Sequence, residues 1–515
     1  MFAEILLVFL LATGNAPAID GIYPDPTTVD DRGEFVILTV PETASTGNLT
    51  LTDGEDTVDV SGVSSAGKVI ITDDPGPATA VTDHPIHRVD SFLSLANAGE
   101  WIALRKGNRT IENVSYSRSS EGELYRNGRF VPPGRSDFPP MSSRNVTVRT
   151  FLLPDQPKPI TELFDTSRNR IRLAGYTFTD PAVTDALIQA HRRNVSVSVL
   201  VEGGPVGGIT EPQVEQLDRL RAAGISVTVL GTDRARYQYQ HAKYAIVDDR
   251  ALVTSENWKP GSIGGNGSRG WAAEIHDPAV AQNLSRIFAA DRGFVDTSPW
   301  VTARPSDPVS DKPDTESYPS RFSPTTSTAE SVTVFVAPDN AAAGVTSMLE
   351  SATDSIRIQQ VSIDPSGRLL NATIGAAERG IDVRILLSGA WYVESENRAL
   401  AKTLRRRADR EGLPIKVRLA EPRSRYEHVH AKGLIVDGES TLVGSLNWNA
   451  HALNENREVA VQIDDPETAA AFERAFIADW RGAAWRVPWG TIVGAAVLLV
   501  FGVGYANRMA TFETG

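Results

Sequence analysis

Two stretches of this 515-residue chain carry the same reactive side chains at the same spacing. The first runs His241-Ala-Lys243-Tyr-Ala-Ile-Val-Asp248 and closes with Thr254-Ser255-Glu-Asn257-Trp258. The second runs His430-Ala-Lys432-Gly-Leu-Ile-Val-Asp437 and closes with Gly444-Ser445-Leu-Asn447-Trp448. With 8 His, 9 Lys and 35 Asp in the chain, chance would produce His-x-Lys-x4-Asp on the order of 0.01 times. It occurs twice. An imidazole can attack an electrophile or, when protonated, hand a proton to a leaving group. A nearby ammonium and carboxamide can offset the negative charge of the group under attack. One His-Lys set cannot hold a nucleophile and an acid at the same time, whereas two sets facing each other can.

Elements must hold these groups in place. Four mostly apolar residues between Lys and Asp predict a buried strand, and a His and a Lys two apart on a strand project from one face. Asp248 and Asp437 end these strands, where pairing or capping is the expected role. The surroundings repeat as well. Residues 169–174 match 354–359; a helix at 181–193 and a strand at 195–200 match 366–379 and 381–386. A second helix at 213–223 and a strand at 225–230 match 395–411 and 415–419. Corresponding residues lie about 185 (Asn169 to Asp354) to 190 (Asn257 to Asn447) apart, with His241 and His430 at 189, which predicts two copies of one α/β layered domain.

These residues resemble the phospholipase D superfamily, whose mark is a duplicated His-x-Lys-x4-Asp followed by Gly-Ser-x-Asn. The resemblance covers roughly residues 150 to 485. It implies a phosphodiesterase without a cofactor, acting through a covalent phosphohistidine that water or an alcohol later releases. The catalytic set would be His241, Lys243 and Asn257 meeting His430, Lys432 and Asn447 at a pseudo-two-fold axis, supported by Asp248, Asp437, Ser255 and Ser445. By analogy His241 is the nucleophile and His430 the acid, with the reverse order left open. Glu458, 28 residues after His430, resembles the family's downstream glutamate and is expected to fix the His430 tautomer. Glu274 is the equivalent expected for His241, its longer spacing filled by the Gly-rich insertion Gly261 to Gly270. That insertion reads as a flap over the site or as a surface loop. Thr254 departs from the family's Gly, which would narrow the pocket or alter the turn.

Arg234-Ala-Arg236-Tyr237 and Arg423-Ser-Arg425-Tyr426 precede the two histidines at equal distance, which points to Arg236 and Arg425 as substrate-binding residues for a phosphate. Pairing with acids is the alternative. His428-x-His430, with His451 nearby, could mimic a zinc pair, but the first copy has Gln238 or Tyr239 in place of His428, so no metal is assigned.

Composition bounds the rest. The length predicts several domains. The absence of Cys excludes disulfides and thiolate chemistry. A net charge of −13 weighs against a broad nucleic-acid footprint. Residues 1–18 read as a signal peptide, with an apolar run from Ile5 to Ala12 and a small-residue site at Ala16-Pro-Ala18, although Glu4 stands where a positive charge is usual. Residues 19–124 carry short β runs, such as 34–40 and 100–104, and predict an all-β immunoglobulin-like sandwich resembling a lamin-tail domain. Linkers are expected at 125–145 and 303–330, the two α/β repeats at 146–302 and 331–485, and a transmembrane helix at 488–506. Together these predict an α/β protein of two pseudo-symmetric repeats with the site between them, anchored in a cell membrane with its body outside. A phospholipid is favoured over nucleic acid as the substrate. The alternatives are a surface-anchored metal-independent nuclease and a non-catalytic surface-binding protein.

Overall fold

The computed structural model describes residues 16–482 except 64–65, 80, 83, 232–234 and 312–315. The expected transmembrane helix, and the expected signal peptide up to residue 15, lie outside the described residues. Among the described residues no helix is long and apolar enough to cross a membrane.

The two α/β repeats share one sheet of fifteen strands. From the first edge inward its order is Thr297–Pro299, Ser226–Leu230, Ser196–Glu202, Arg170–Gly175, Tyr244–Val247, Arg250–Thr254, Gly270–His276 and Met141–Leu153. It continues with Thr325–Ala337, Glu458–Asp464, Ser440–Gly444, Gly433–Val436, Ser355–Gln360, Asp382–Leu387 and Ile415–Leu419. Apart from the first edge strand, the second list repeats the first in reverse. The long strands Met141–Leu153 and Thr325–Ala337 are equivalent and pair antiparallel, Met141 opposite Val334 and Thr150 opposite Thr325. Antiparallel pairing of equivalent strands generates a local two-fold axis.

Burial explains why the sheet is continuous. Tyr244–Val247 and Gly433–Val436 are buried at every position, as strands covered on both faces must be. Helices Pro181–Arg192 and Glu211–Ala222 cover the first repeat, and Arg368–Glu378 and Glu394–Glu411 the second. The junction has a core of its own, in which Val148, Trp271 and Phe288 join Val334, Phe472 and Trp480. Trp271 stacks on Phe472 across it, ring centroids 4.4 Å apart.

Before the repeats, a six-stranded and a four-stranded sheet share one apolar core, with Ile22, Val36 and Val69 from one and Leu51, Ile102 and Leu104 from the other. Both expected linkers hold structure. Leu124–Arg126 and Arg129–Val131 form a hairpin on the six-stranded sheet. Its turn is Asn127-Gly128, both at positive φ (51° and 82°), the backbone that tight hairpins require. The central strands Met141–Leu153 and Thr325–Ala337 likewise begin inside the spans assigned as linkers.

Candidate active site

Each His-Lys pair occupies the extended lead-in to its short strand rather than the strand itself, and each lead-in is held by the other repeat. His241 N donates to Arg457 O at 3.0 Å, and Arg457 N to Tyr239 O at 2.9 Å. In the other half His430 N donates to Arg269 O at 3.0 Å, and Arg269 N to His428 O at 2.8 Å. The backbone of one half therefore sets the place of the other half's histidine.

The side chains meet at the junction. Lys432 Nζ donates to His430 O at 2.7 Å and reaches Ser255 O of the first repeat at 3.5 Å; Lys243 Nζ donates to His241 O. Each lysine acts electrostatically on both histidines. Burial lowers His241 to about 4 and His430 to about 3, with the lysines adding to the effect. Burial also lowers Lys432 to about 8 and Lys243 well below the ordinary ammonium value. The side-chain oxygens of Asn257 and Asn447 are buried without a hydrogen-bond partner. Two lysines brought within electrostatic reach of both histidines suit a small anion there.

The carboxylates are arranged differently from the expectation. Glu458 sits not on His430 but on His241, across the junction, with its oxygens 2.8 and 3.0 Å from His241 Nδ1. Burial would raise the Glu458 pKa, but the histidine and Lys243 outweigh it and hold it below the usual range. Glu274 touches neither histidine; it lies with His276 (2.8 Å), Arg250 (3.3 Å) and Arg149 (3.7 Å). The reason is register. Glu458 is the first residue of its strand, and the first residue of the equivalent strand is Gly270. Glu274 is four residues further on, about 13 Å at the rise of a strand.

The carboxylate beside His430 is Glu256, which the sequence reading missed. Its Oε1 is 3.4 Å from His430 Nδ1, an ion-pair distance longer than a good hydrogen bond. Glu256 is fully buried, and burial would raise its pKa, but His430, Lys432 and Ser268 together hold it well below the carboxylate range. Ser268 Oγ donates to its other oxygen at 2.6 Å. A Cβ at position 270 would stand 2.2 Å from Glu256 Cγ. Glycine at 270 thus leaves the space that the Glu256 carboxylate fills. The second repeat has the converse pair, Leu446 and Glu458. The signal was in the sequence: an acid inside one Ser-x-Asn turn, and a Gly where the matching strand starts with Glu.

Thr254 takes part in the turn through its hydroxyl. It is fully buried, and its hydroxyl accepts from Glu256 N at 3.1 Å, holding the segment that carries the acid. Ser255 Oγ accepts from Trp271 N at 3.0 Å, and Ser445 Oγ from Val459 N at 3.1 Å, tying each turn to the next strand. Asp248 accepts from the backbone N–H groups of Arg168, Asn169 and Arg170, and Asp437 from those of Thr353, Asp354 and Ser355. The Gly-rich insertion is neither flap nor surface loop. Most of it is buried, and Glu427 N of the second repeat donates to Gly267 O at 2.9 Å.

The expected phosphate contacts are also corrected. Arg236 pairs with Asp296 at 2.8 Å, and Arg425 with Asp479 at 3.0 Å, both almost wholly buried. Their neighbours explain the duplication. Arg269 pairs with Asp479 at 3.0 Å and lies 4.7 Å from the Tyr426 ring. Arg457 pairs with Asp291 at 2.9 Å and lies 4.2 Å from the Tyr237 ring. The repeated Arg-x-Arg-Tyr is part of two reciprocal clamps between the halves. His451 pairs with Glu455 on the surface.

Comparison with known proteins finds relatives over both repeats. The family described as cardiolipin synthase, PLD-like domain matches residues 160–292 and 345–480. A mitochondrial cardiolipin hydrolase of Danio rerio is 34% identical over 56 residues, 11% of this chain and 25% of that protein. One from Chlamydomonas reinhardtii is 38% identical over 53 residues, 10% of this chain and 24% of that protein. The chain thus spans about a quarter of the length of these relatives. The solved phosphatidylserine synthase of Haemophilus influenzae Rd KW20 is 15% identical with a TM-score of 0.48, covering 65% of this chain and 86% of that one.

Proposed function

This chain belongs to the phospholipase D superfamily, and from that premise we propose that it hydrolyses or transfers the head groups of phospholipids. The observation that carries the reading is the convergence of two His-Lys sets from opposite repeats, with the 2.8 Å contact of His241 and Glu458 bridging them. Glu458 accepts the Nδ1 proton of His241 and leaves the other ring nitrogen its lone pair. That nitrogen attacks phosphorus. As the N–P bond forms, the P–O bond to the head-group alcohol breaks, and protonated His430 gives its proton to the departing oxygen. Neutral His430 then takes a proton from water or an acceptor alcohol, whose oxygen attacks phosphorus and frees His241. Lys243, Lys432, Asn257 and Asn447 offset the phosphate charge throughout. The bound anion also favours the protonated form of His430 in spite of its burial.

A phospholipid is supported by the matching cardiolipin hydrolases and by the acidic chain, which repels a polyanion. The uncharged run 488–506 supports a membrane tether that keeps the body beside lipid, outside the cell. The test is release of head group from phosphatidylcholine and cardiolipin vesicles in the presence of a chelator. His241→Ala and His430→Ala are each expected to lower turnover by about 10²- to 10⁴-fold, and a phosphorylated histidine is expected to be trapped in the wild type. Intact lipid alongside a cleaved labelled oligonucleotide would reject the lipid reading.

A further inference from the structure

The two halves also match outside the pocket. Equivalent strands Ser196–Glu202 and Asp382–Leu387 are each followed by a loop, 203–208 and 388–393. Each loop is linked to its own catalytic histidine through aromatic rings. Val206 N donates to Tyr176 Oη at 2.6 Å, and the Tyr176 ring lies 4.9 Å from the His241 ring. In the second half Trp391 lies 5.7 Å from Tyr392, Tyr392 lies 6.1 Å from His428, and His428 lies 6.4 Å from His430. The outer ends of both series are bare. Val206 is 78% exposed, Trp391 88% and Tyr392 47%. Val309, 46% exposed, borders the first loop through its pairing with Thr210. These are four of the eight large apolar side chains exposed among the described residues, two beside the loop linked to His241 and two on the loop linked to His430.

The geometry points to a surface that docks the mouth of the pocket onto a lipid bilayer, with Trp391 and Val206 entering the head-group region. This rests on the phospholipid reading above and adds how the substrate is reached. Exposed Trp and Tyr favour the bilayer interface, where a ring can be buried while its polar edge stays wet. The loops themselves, Gly-Gly-Pro-Val-Gly-Gly and Ser-Gly-Ala-Trp-Tyr-Val, carry no charge. A nucleic-acid platform would surround its stacking ring with Lys and Arg to meet phosphates. The neutral loops and the net charge of −13 favour a zwitterionic surface over a polyanion. The pairing of one loop from each half suits a pocket that must face a plane, because both rims then touch it together.

The experiment uses the whole chain, with two probes besides the wild type's own lipid turnover. Phosphatidylcholine vesicles report docking, and a water-soluble aryl phosphodiester reports the pocket alone. Trp391→Ala combined with Val206→Ser is expected to weaken sedimentation with vesicles by about 10-fold or more and to lower turnover of vesicle lipid in proportion. It is expected to leave turnover of the soluble diester within about 3-fold, a readout that a misfolded variant would fail. Trp391→Phe, which keeps an apolar ring, should bind vesicles nearly as the wild type does and lose part of the fluorescence blue shift seen on binding. Wild type that turns over the soluble diester but ignores vesicles overturns the docking surface and leaves the chemistry standing. Vesicle binding through Trp391 without lipid cleavage supports the surface and overturns the phospholipid reading. Quenching of Trp391 by a single-stranded oligonucleotide, with no response to vesicles, replaces the lipid with a stacked base and overturns the proposal.

Discussion

At the scale of residues, the two motif histidines are served by carboxylates that reach them from different places. Glu458 starts a strand in one repeat, whereas Glu256 sits in a turn of the other, in space left by Gly270. The His-x-Lys-x4-Asp spacing made the histidines and lysines readable, because that pattern lies within eight consecutive residues. The carboxylates were not readable by the same rule. Which acid faces which imidazole depends on strand register across the junction, and spacing along the chain assigned both wrongly. The transposition gives a direct test. Glu256→Gln removes an interaction that raises the His430 pKa, so His430 will hold its proton only at lower pH. The limb of the activity profile set by the acid should shift toward lower pH, and kcat should fall by about 10- to 100-fold. Glu256→Leu with Gly270→Glu copies the second repeat's pair into the first and should recover most of the activity lost by Glu256→Leu alone. If the double variant is no better than the single one, the two positions are not interchangeable seats for one carboxylate.

At the scale of elements, the aspartates that end the motif strands organise backbone. Asp437 accepts from three successive N–H groups at 2.8–2.9 Å and from the Thr353 hydroxyl at 2.9 Å. It stands at positive φ, 55°, as Asp248 does at 53°, a conformation that Asp tolerates better than most residues. Burial would raise the Asp437 pKa, but these donors outweigh it and lower it. Its stabilisation is therefore present above the ordinary carboxylate pKa and is lost as pH falls through the lowered one. Asp437→Ala should cost about 1.5–3 kcal/mol, measured by urea unfolding at neutral pH, while kcat/KM of the folded fraction stays within about 3-fold. A much larger loss of kcat with unchanged stability would give the aspartate a chemical role instead. The repeated helix-strand pattern was legible because each element carries its own periodicity. The Asn127-Gly128 hairpin was passed over because Pro, Gly and Arg around it resemble a linker by composition. The Arg-x-Arg-Tyr loops misled for a related reason. Arginine suits a buried clamp as well as a phosphate, and only burial separates the two uses.

At the scale of the whole molecule, the constant offset between copies showed a duplication but not how the copies join. That is decided by Met141–Leu153 lying against Thr325–Ala337, both partly hidden in sequence that reads as linker. The halves exchange backbone hydrogen bonds beside each histidine and are clasped by Arg269 to Asp479 and Arg457 to Asp291. One consequence concerns the peptide bond itself. The halves are therefore expected to stay together without the peptide linkage between Arg304 and Arg321. Two polypeptides cut within that stretch and produced in one host are expected to reassociate and to regain turnover, whereas either fragment alone should be inert. The duplication, fused at the level of its sheet, would then behave as a dimer that happens to be written on one strand of message.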